Sequence, residues 1–453
     1  MSDIGVGCRV VGRRSTGRRS VGRWNHTADT AERNHMRVLH TSDWHVGRRF
    51  KGIDLLDHQR RAFRWLEELI VSEGVDVLCV SGDVYDLPRP SNESVQVFDE
   101  AFSALGALEV NGHPLQVVIT PGNHDSASRL GFAASLMRSN VHMRCRIEDV
   151  AEPVVITVDG RSLAVYAVPY LDPDVARPVL RAMVGHDVPR THEGVMRAVL
   201  ELVTADLARR RAADPSLAAI LMAHAFVTGA VSSDSERTLA VGGVDGVPAA
   251  LFSHSGLDYL ALGHLHRPQK VAIPDLADGD SVFHLDRTPI ARYSGSLLAY
   301  SFSERCATPV VGNGKSVVIL DVDGGRIHDA RTVDVDSGEP ALAQVEGTAD
   351  EVLGPAADAH ADQWVSVIVH APEFPRGIYG RIDARYPHAL EKQFVIDAHD
   401  VGRTRRMADL GAARDEMDVL GGFVRFMLGR DATDKERRAL ADTVADVRKD
   451  EDR

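Results

Sequence analysis

The sequence is poor in cysteine and contains no long apolar run. Its 453 residues include four cysteines, Cys8, Cys79, Cys145 and Cys306, and no CxxC pair. A disulfide framework and a thiolate zinc site are therefore excluded, and we expect a protein of a reducing, intracellular compartment. Charged residues interrupt every apolar stretch well before the roughly 20 residues that a membrane span needs, so we expect a soluble, cytoplasmic protein.

The chain also lacks an overall basic charge. Its formal net charge is −13 at pH 7, although seven arginines face only three acidic residues in the segment 1–35. The rest of the chain is more acidic still. A generally basic surface for nucleic acid is therefore excluded, and any DNA binding has to come from local patches, metal ions or a partner.

The segment 1–35 is rich in Gly, Arg and Ser and has almost no apolar periodicity. This composition predicts a disordered basic extension. No apolar region follows its paired arginines, so we do not expect an export signal. The segment is either an upstream extension, not necessarily translated, or a basic arm that touches DNA.

From Met36 onward, short apolar runs alternate with amphipathic segments. The runs are bounded by Gly, Pro or charge and predict buried strands over 75–80, 115–120, 218–223 and 257–262. The amphipathic segments predict helices over 58–72 and 94–108. This alternation predicts an α/β domain over 36–335, which strands over 293–302 and 316–322 would complete.

Smaller units are predicted after residue 335. Residues 336–361 are rich in Ala, Gly and acidic residues and predict a linker. Strands over 364–370 and 393–396, with a helix over 375–386, predict a small αβ domain at 362–398. Two helices are predicted within 415–450, and their wide apolar face predicts docking onto another surface.

Five short segments combine Asp, His and Asn, and each follows a predicted strand. They are Thr41-Ser-Asp-Trp-His45, Gly82-Asp-Val-Tyr-Asp86, Gly122-Asn-His-Asp125, Ala223-His224 and Gly263-His-Leu-His266. Taken singly, each can be a turn or a structural polar residue. The ordered set favours one functional site, because ligands of open α/β sheets bind at the carboxyl ends of strands.

The donor atoms in these segments suit divalent cations such as manganese, iron or zinc. Seven side chains offer imidazole nitrogens or hard oxygens, namely Asp43, His45, Asp83, Asn123, His224, His264 and His266. They exceed the need of one ion, whereas two ions bridged by one carboxylate would use them all. Such a pair activates water and neutralises charge on phosphoryl oxygens. The sequence therefore predicts hydrolysis of a phosphoester.

The order D-x-H, GD-x-x-D, GNHD, H and G-H-x-H resembles the calcineurin-like metallophosphoesterases, whose fold is a β sandwich flanked by helices. More narrowly, the segment 36–47 and Tyr293-Ser-Gly-Ser296 resemble the SbcD family of nuclease subunits, over residues 36 to about 390. The resemblance implies one ion, expected to be Mn²⁺, on Asp43, His45, Asp83 and His266. A second ion would lie on Asp83, Asn123, His224 and His264.

The same resemblance implies roles for two further residues. His124 would contact the scissile phosphate and protonate the leaving oxygen. Asp86 would orient that histidine and stabilise its charged form, or alternatively cap a turn. Arg48, Arg49, Lys51 and Arg89 follow the first two motifs and either contact DNA phosphates or form a solvated face with salt bridges.

The activity that the resemblance implies is that of a metal-dependent DNA nuclease. Such a nuclease degrades double strands in the 3′ to 5′ sense and cuts hairpins and single strands. It acts with the ATPase SbcC in repair, recombination and replication, as a homodimer within a heterotetramer at the nucleoid. The small αβ domain would cap the DNA groove, and the helical tail would bind SbcC.

Two other functions remain open on the residues alone. A stand-alone phosphodiesterase or nucleotidase for small molecules needs only the five motifs, but it leaves the small αβ domain and the apolar tail without a purpose. A scaffold subunit with a decayed metal site is disfavoured, because every expected ligand is present.

Overall fold

The computed structural model describes residues 35–236, 246–276, 280–306, 311–372, 374–396, 416–428 and 430–451. Apart from its last residue, the predicted basic extension 1–35 lies outside the described residues. None of the described helices is long and apolar enough to cross a membrane.

The strands alternate with helices through most of the chain. In chain order the strands are β1 (Met36–Thr41), β2 (Arg49–Phe50), β3 (Ile53–Asp54), β4 (Val77–Ser81), β5 (Glu109–Val110), β6 (His113–Pro114), β7 (Gln116–Thr120), β8 (Val141–Met143), β9 (Val154–Val158), β10 (Arg161–Ala167), β11 (Ala218–His224), β12 (Tyr259–Gly263), β13 (Gln269–Val271), β14 (Ile290–Tyr293), β15 (Ser316–Asp323), β16 (Arg326–Asp334), β17 (Leu342–Thr348), β18 (Trp364–Ala371) and β19 (Ala389–Ile396). The α-helices are α1 (Leu56–Glu73), α2 (Asn92–Ala107), α3 (Ala127–Leu130), α4 (Pro173–Val184), α5 (His192–Ala213), α6 (Ala349–Val352), α7 (Ile378–Arg385), α8 (Glu416–Leu428) and α9 (Asp434–Glu451).

Two six-stranded sheets form the centre of the fold. Their strand orders are β16-β15-β1-β4-β7-β8 and β13-β14-β12-β11-β10-β9. In the first sheet β1, β4, β7 and β8 pair in parallel, and β15 and β16 add antiparallel pairs at one edge. In the second sheet β10, β11, β12 and β14 pair in parallel, and β9 and β13 add an antiparallel pair at each edge. Parallel strands are covered on both faces, which explains their nearly continuous apolar runs.

The two sheets pack face to face, and helices cover their outer faces. Val38 and Val118 of the first sheet share one apolar cluster with Ile220 of the second. On the outside, α1 and α2 bury apolar side chains against the first sheet, and α4 and α5 do so against the second. The predicted α/β sandwich flanked by helices is confirmed.

The predicted closing strand over 293–302 is wrong for most of its length. Strand β14 ends at Tyr293, and the chain then runs irregularly to a 3-10 helix at Phe302–Glu304. The Ser294 hydroxyl hydrogen-bonds that of Ser42 at 2.9 Å, and the Ser296 hydroxyl donates to the Leu298 carbonyl at 2.6 Å. Ser294 thus contacts the loop that follows β1, and Ser296 bonds within its own segment, so the segment supports neighbouring loops and adds no strand.

The region predicted as a linker, 336–361, contains regular structure. Strand β17 lies in it and pairs in parallel with β18, which in turn pairs with β19. Helix α6 begins directly after β17 with a capping box between Thr348 and Glu351. The three-stranded unit therefore spans 342–396 and begins earlier than the predicted 362. Polar residues such as Gln344 and Glu346 hid this strand in the sequence.

The small unit and the tail have the expected secondary structure. Val365, Val367, Ile378 and Ile382 form the unit's own apolar cluster. Helices α8 and α9 lie where the tail was predicted, within one residue of its limits, and the segment 397–415 before them lies outside the described residues.

Candidate metal centre

The five polar segments meet where strands of both sheets end. Asp43, Asp83 and Asn123 follow β1, β4 and β7 of the first sheet. His224 ends β11 of the second sheet, and His264 and His266 follow β12. The site therefore lies across the carboxyl ends of two packed sheets.

Backbone hydrogen bonds tie these loops to one another. The His45 N–H donates to the Asp83 carbonyl at 2.9 Å. Carboxylate oxygens also accept from main-chain N–H groups, with His124 N 2.8 Å from Asp83 Oδ1 and His264 N 3.0 Å from Asp43 Oδ1. Each carboxylate thus holds a neighbouring loop as well as facing the site.

The first group of side chains gathers around His45. Its Nε2 lies 2.9 Å from His266 Nε2 and 3.4 Å from Asp83 Oδ2. Asp43, His45 and His266 offer donor atoms that all lie within 4.8 Å of one another. These distances suit donors that share one divalent cation.

The second group gathers around Asn123. Its Oδ1 lies 2.9 Å from His224 Nε2 and 3.2 Å from His264 Nδ1. Asp83 Oδ2 lies 3.3 Å from His224 Nε2, so one carboxylate oxygen faces both groups. The structure therefore brings all seven predicted ligands together, with Asp83 between them, and the donor set fits a pair of divalent cations.

Several site residues adopt a left-handed backbone that side chains disfavour. The φ angles are 53° at Asp43, 43° at His45 and 52° at Asp83, and all three residues are buried. Such conformations cost about 1 to 3 kcal/mol each and persist only where the surroundings enforce them. Backbone strain of this kind is common at functional sites.

Glycines before the ligands allow the two sheets to approach. A Cβ at Gly263 would lie 1.9 Å from the Ser81 carbonyl oxygen, and one at Gly82 would lie 2.3 Å from His224 Nδ1. Gly82 also has a φ of +85°. Any side chain at either position would push the ligand loops apart.

The two buried aspartates differ in their electrostatics. Burial raises the pKa of Asp43 to about 6. Burial also opposes ionisation of Asp83, but the neighbouring His224 and His45 outweigh it and hold the Asp83 pKa well below its ordinary value. Asp83 is therefore a stable anion at the centre of the site, as a bridging ligand needs to be.

The histidines divide in a similar way. Burial, reinforced by His224, lowers the pKa of His264 to about 3, and burial with His45 lowers that of His266 well below its ordinary value. For His224 burial is outweighed by the Asp83 charge, and the pKa rises to about 9. Neutral imidazoles are ready metal ligands, whereas His224 has to release a proton on metal binding.

His124 lies beside the first group, and its contact with Asp86 is mainly through the main chain. Its Nδ1 lies 2.8 Å from the Asp86 carbonyl oxygen and 3.8 Å from the Asp86 carboxylate. That carboxylate is 3.2 Å from Arg48 Nη1 and 3.5 Å from His45 Nδ1. Burial opposes its ionisation, but these partners lower the pKa of Asp86.

The four basic residues predicted beside the site occupy different environments. Arg48 also donates to the Ser235 carbonyl at 2.7 Å and lies over the Tyr300 ring. Lys51 forms an ion pair of 2.5 Å with Glu391 of the small unit. Arg49 donates to Gly52 and is exposed, and Arg89 is exposed as well. The contacts of Arg48 with Asp86, Ser235 and Tyr300 therefore hold side chains and loops of the site together.

Asp125 is the last residue of the GNHD motif and has a structural role that the sequence did not predict. Its half-buried carboxylate accepts from the N–H groups of Gly122, Val84 and Tyr85 at 2.9 to 3.0 Å. Burial raises its pKa to about 6. Asp125 therefore joins the loops that carry Asp83 and Asn123. Its position within the GNHD motif is the feature of the sequence that could have pointed to this role.

Comparison with known proteins agrees with this geometry. Residues 36–268 match the family model described as calcineurin-like phosphoesterase. The SbcD subunit of the nuclease SbcCD from Bacillus subtilis (strain 168) is 35% identical over 309 residues, which are 67% of this chain and 71% of that protein.

Similar solved structures include TT1561 of Thermus thermophilus, with 10% identity and a TM-score of 0.33 over 66% of this chain and 99% of that one. The NAD nucleotidase of Haemophilus influenzae gives 10% identity and a TM-score of 0.35 over 84% of this chain and 68% of that one. Scores this low support no conclusion about function.

Proposed function

The chain belongs to the calcineurin-like phosphoesterase family, and from this membership we propose that it is a metal-dependent DNA nuclease of the SbcD type. It degrades double-stranded DNA as a 3′ to 5′ exonuclease and cuts hairpins and single strands as an endonuclease. The observation that carries the proposal is the convergence of seven donor residues, with Asp83 at their centre, in a relative of a nuclease subunit.

Two divalent cations, Mn²⁺ in this proposal, would occupy the two groups of donors. Asp43, His45, Asp83 and His266 would hold one, and Asp83, Asn123, His224 and His264 would hold the other. When bound, such a pair activates water and neutralises charge on the phosphoryl oxygens. Asp83 belongs to both groups, because its Oδ2 lies 3.4 Å from His45 Nε2 and 3.3 Å from His224 Nε2.

His124 supplies the proton for the leaving oxygen. A carbonyl oxygen only accepts hydrogen bonds, so Nδ1 of His124 carries a hydrogen that it donates to the Asp86 carbonyl. The protonated ring then carries its second hydrogen on Nε2, which lies 4.0 Å from Asp83 Oδ2 and faces the site. The main chain of Asp86 fixes the ring, and its carboxylate stabilises the charged form from 3.8 Å.

The small unit at 342–396 caps the DNA groove beside this centre. A cavity of about 360 Å³ separates them and is lined by Arg48 and Tyr300 on one side and by Ser366 and Glu391 on the other. The exposed arginines Arg49 and Arg89 contact backbone phosphates, which gives binding without sequence preference.

The helical tail binds the ATPase SbcC. Val419 and Phe423 of α8 are 44% and 55% exposed, and exposed apolar side chains on one helix favour docking onto a partner. Because the chain is acidic overall, SbcC supplies much of the grip on DNA. The assembly is a heterotetramer that contains a homodimer of this chain, and it acts at the nucleoid in repair and recombination.

The proposal is tested by cleavage of hairpin DNA in Mn²⁺, with and without SbcC and ATP. Wild type is expected to open the hairpin, and His124→Ala is expected to fail. A stand-alone phosphodiesterase would instead hydrolyse small nucleotides rapidly without SbcC and leave the hairpin intact, and that result would overturn the proposal.

A further inference from the structure

A buried row of polar side chains leads away from His266. The Ser235 hydroxyl lies 2.6 Å from His266 Nδ1 and 2.5 Å from Glu304 Oε1, and Lys315 forms an ion pair with Glu304. All four residues are at most 8% exposed. Ser235, Glu304 and Lys315 lie outside the five motifs.

The chemistry of these groups sets the direction of their hydrogen bonds. A carboxylate only accepts, so the single hydroxyl hydrogen of Ser235 points to Glu304. Ser235 then accepts from His266, and the imidazole hydrogen therefore lies on Nδ1. The lone pair of His266 is left on Nε2, the atom 2.9 Å from His45 Nε2.

Lys315 holds Glu304 in place beside Ser235. Its ammonium group donates to Glu304, to the Ser296 hydroxyl at 3.0 Å and to the His266 carbonyl at 2.8 Å. An ammonium group has three hydrogens, and these three bonds use them all. The buried ion pair itself contributes little net stability, because both charges lose their hydration. Its evident consequence is the orientation of His266.

We propose that Ser235 and Glu304 are positioning residues that fix the tautomer and ring orientation of His266, and thereby set the affinity of one of the two metal sites. Without them, the imidazole hydrogen is free to move to Nε2, where it blocks the donor atom. Partners of this kind behind a metal-binding histidine raise metal affinity about 10- to 100-fold. The inference rests on the proposed function, since it takes His266 as a ligand.

Calorimetric titration of the full chain with Mn²⁺ tests the proposal. Wild type is expected to bind two ions per protomer. Ser235→Ala is expected to bind one of them about 10- to 100-fold more weakly and the other unchanged. Ser235→Thr keeps the hydroxyl and is expected to bind both ions normally. Ser253→Ala is the matched control, because Ser253 is a buried serine that donates to the Pro274 carbonyl.

A second measurement reports the tautomer without metal. The measurement is NMR of ¹⁵N-histidine-labelled, metal-free protein. In wild type the His266 ring is expected to carry its hydrogen on Nδ1. In Ser235→Ala the hydrogen is expected to exchange between Nδ1 and Nε2. If Ser235→Ala retains both the wild-type tautomer and both affinities, the positioning role is wrong while the metal centre stands. If wild type itself binds fewer than two ions, the proposed function fails first.

Glu304→Gln changes a second member of the buried row of polar side chains behind His266. It is expected to weaken the same metal site as Ser235→Ala, with the second site unchanged. Because this substitution leaves Lys315 buried without its counter-charge, its thermal unfolding is measured alongside. If Glu304→Gln does not fold, the titrations of Ser235→Ala and Ser235→Thr decide the question.

Discussion

His45 and His266 bring their Nε2 atoms to 2.9 Å although they lie 221 positions apart in the chain. Two imidazole lone pairs at this distance repel each other unless a proton or a cation lies between them. The hydrogen bonds of Ser235 with His266 and Glu304 place the hydrogen of His266 on Nδ1, away from His45. His266 therefore presents a lone pair to His45, and the two nitrogens are placed to share a proton or a cation.

Asp83→Asn is expected to lower the rate of DNA cleavage by at least about 10³-fold, because the side chain that faces both donor groups loses its negative charge. A rate loss of this size corresponds to several kcal/mol of lost transition-state stabilisation. The asparagine can still accept from the His124 N–H, so the fold is expected to persist. Cleavage of hairpin DNA and calorimetric Mn²⁺ binding measure the effect. Asp174→Asn, at an exposed aspartate, is the control, and an Asp83→Asn protein with full activity would revive a scaffold role.

His124→Ala is expected to lower kcat by about 10²- to 10⁴-fold while Mn²⁺ binding stays unchanged, since the residue supplies a proton and no ligand. Asp86→Asn keeps the main-chain carbonyl that holds the ring and is expected to cost less. The defect of His124→Ala should shrink with a p-nitrophenyl phosphodiester, whose leaving group needs no proton. An equal defect on both substrates would contradict the assigned role.

Glu339 is expected to make stability depend on pH. Burial raises its pKa to about 8, from 4.5 in an unstructured chain. The neutral form of Glu339 contributes to the free energy of unfolding. This contribution is fully present below pH 4.5 and is lost as the pH rises through 8. Relative to Glu339→Gln, the free energy of unfolding of wild type should therefore fall by up to about 1.4 kcal/mol per pH unit across this range.

Urea denaturation at several pH values between 4.5 and 8 measures this difference. Glu148→Gln, at an exposed glutamate, should run parallel to wild type. Parallel curves for Glu339→Gln and wild type would show that Glu339 is ionised in the folded protein.

Arg89→Ala is expected to weaken DNA binding uniformly across sequences and to reduce the salt slope of log K by about 1. Its side chain is exposed next to the second motif, where a phosphate can reach it. Fluorescence anisotropy at several salt concentrations gives the slope. Arg326→Ala is the control, because Arg326 is exposed at the opposite end of the first sheet, and equal slopes for the two variants would place the DNA elsewhere.

Phe423→Asp is expected to abolish binding to SbcC in a pull-down with purified subunits, since a carboxylate would be buried in an apolar interface. Mn²⁺ binding by the same variant should stay unchanged. Val71→Asp, which alters an equally exposed apolar side chain on α1, is expected to bind SbcC normally. Unimpaired binding by Phe423→Asp would remove the tail from the proposed interface.

The local order of apolar and polar residues was sufficient to predict much of the fold and of the site. The strand predicted over 75–80 is β4, and the helix predicted over 94–108 is α2, because buried strands and amphipathic helices leave their period in the residue order. The same holds for the ligands, since a motif such as Gly263-His-Leu-His266 keeps its donors within four residues. Strand β17 was missed because its polar side chains break the apolar run.

The sequence by itself determined which donor atoms exist, that the strands would carry them to a common edge, and the family to which the chain belongs. Only the tertiary structure decided that Arg48 serves Asp86, that the main chain of Asp86 holds His124, and that Ser235, Glu304 and Lys315 stand behind His266. These contacts join residues from 11 to 69 positions apart. Their geometry depends on how two sheets pack, and no local pattern of side chains records it.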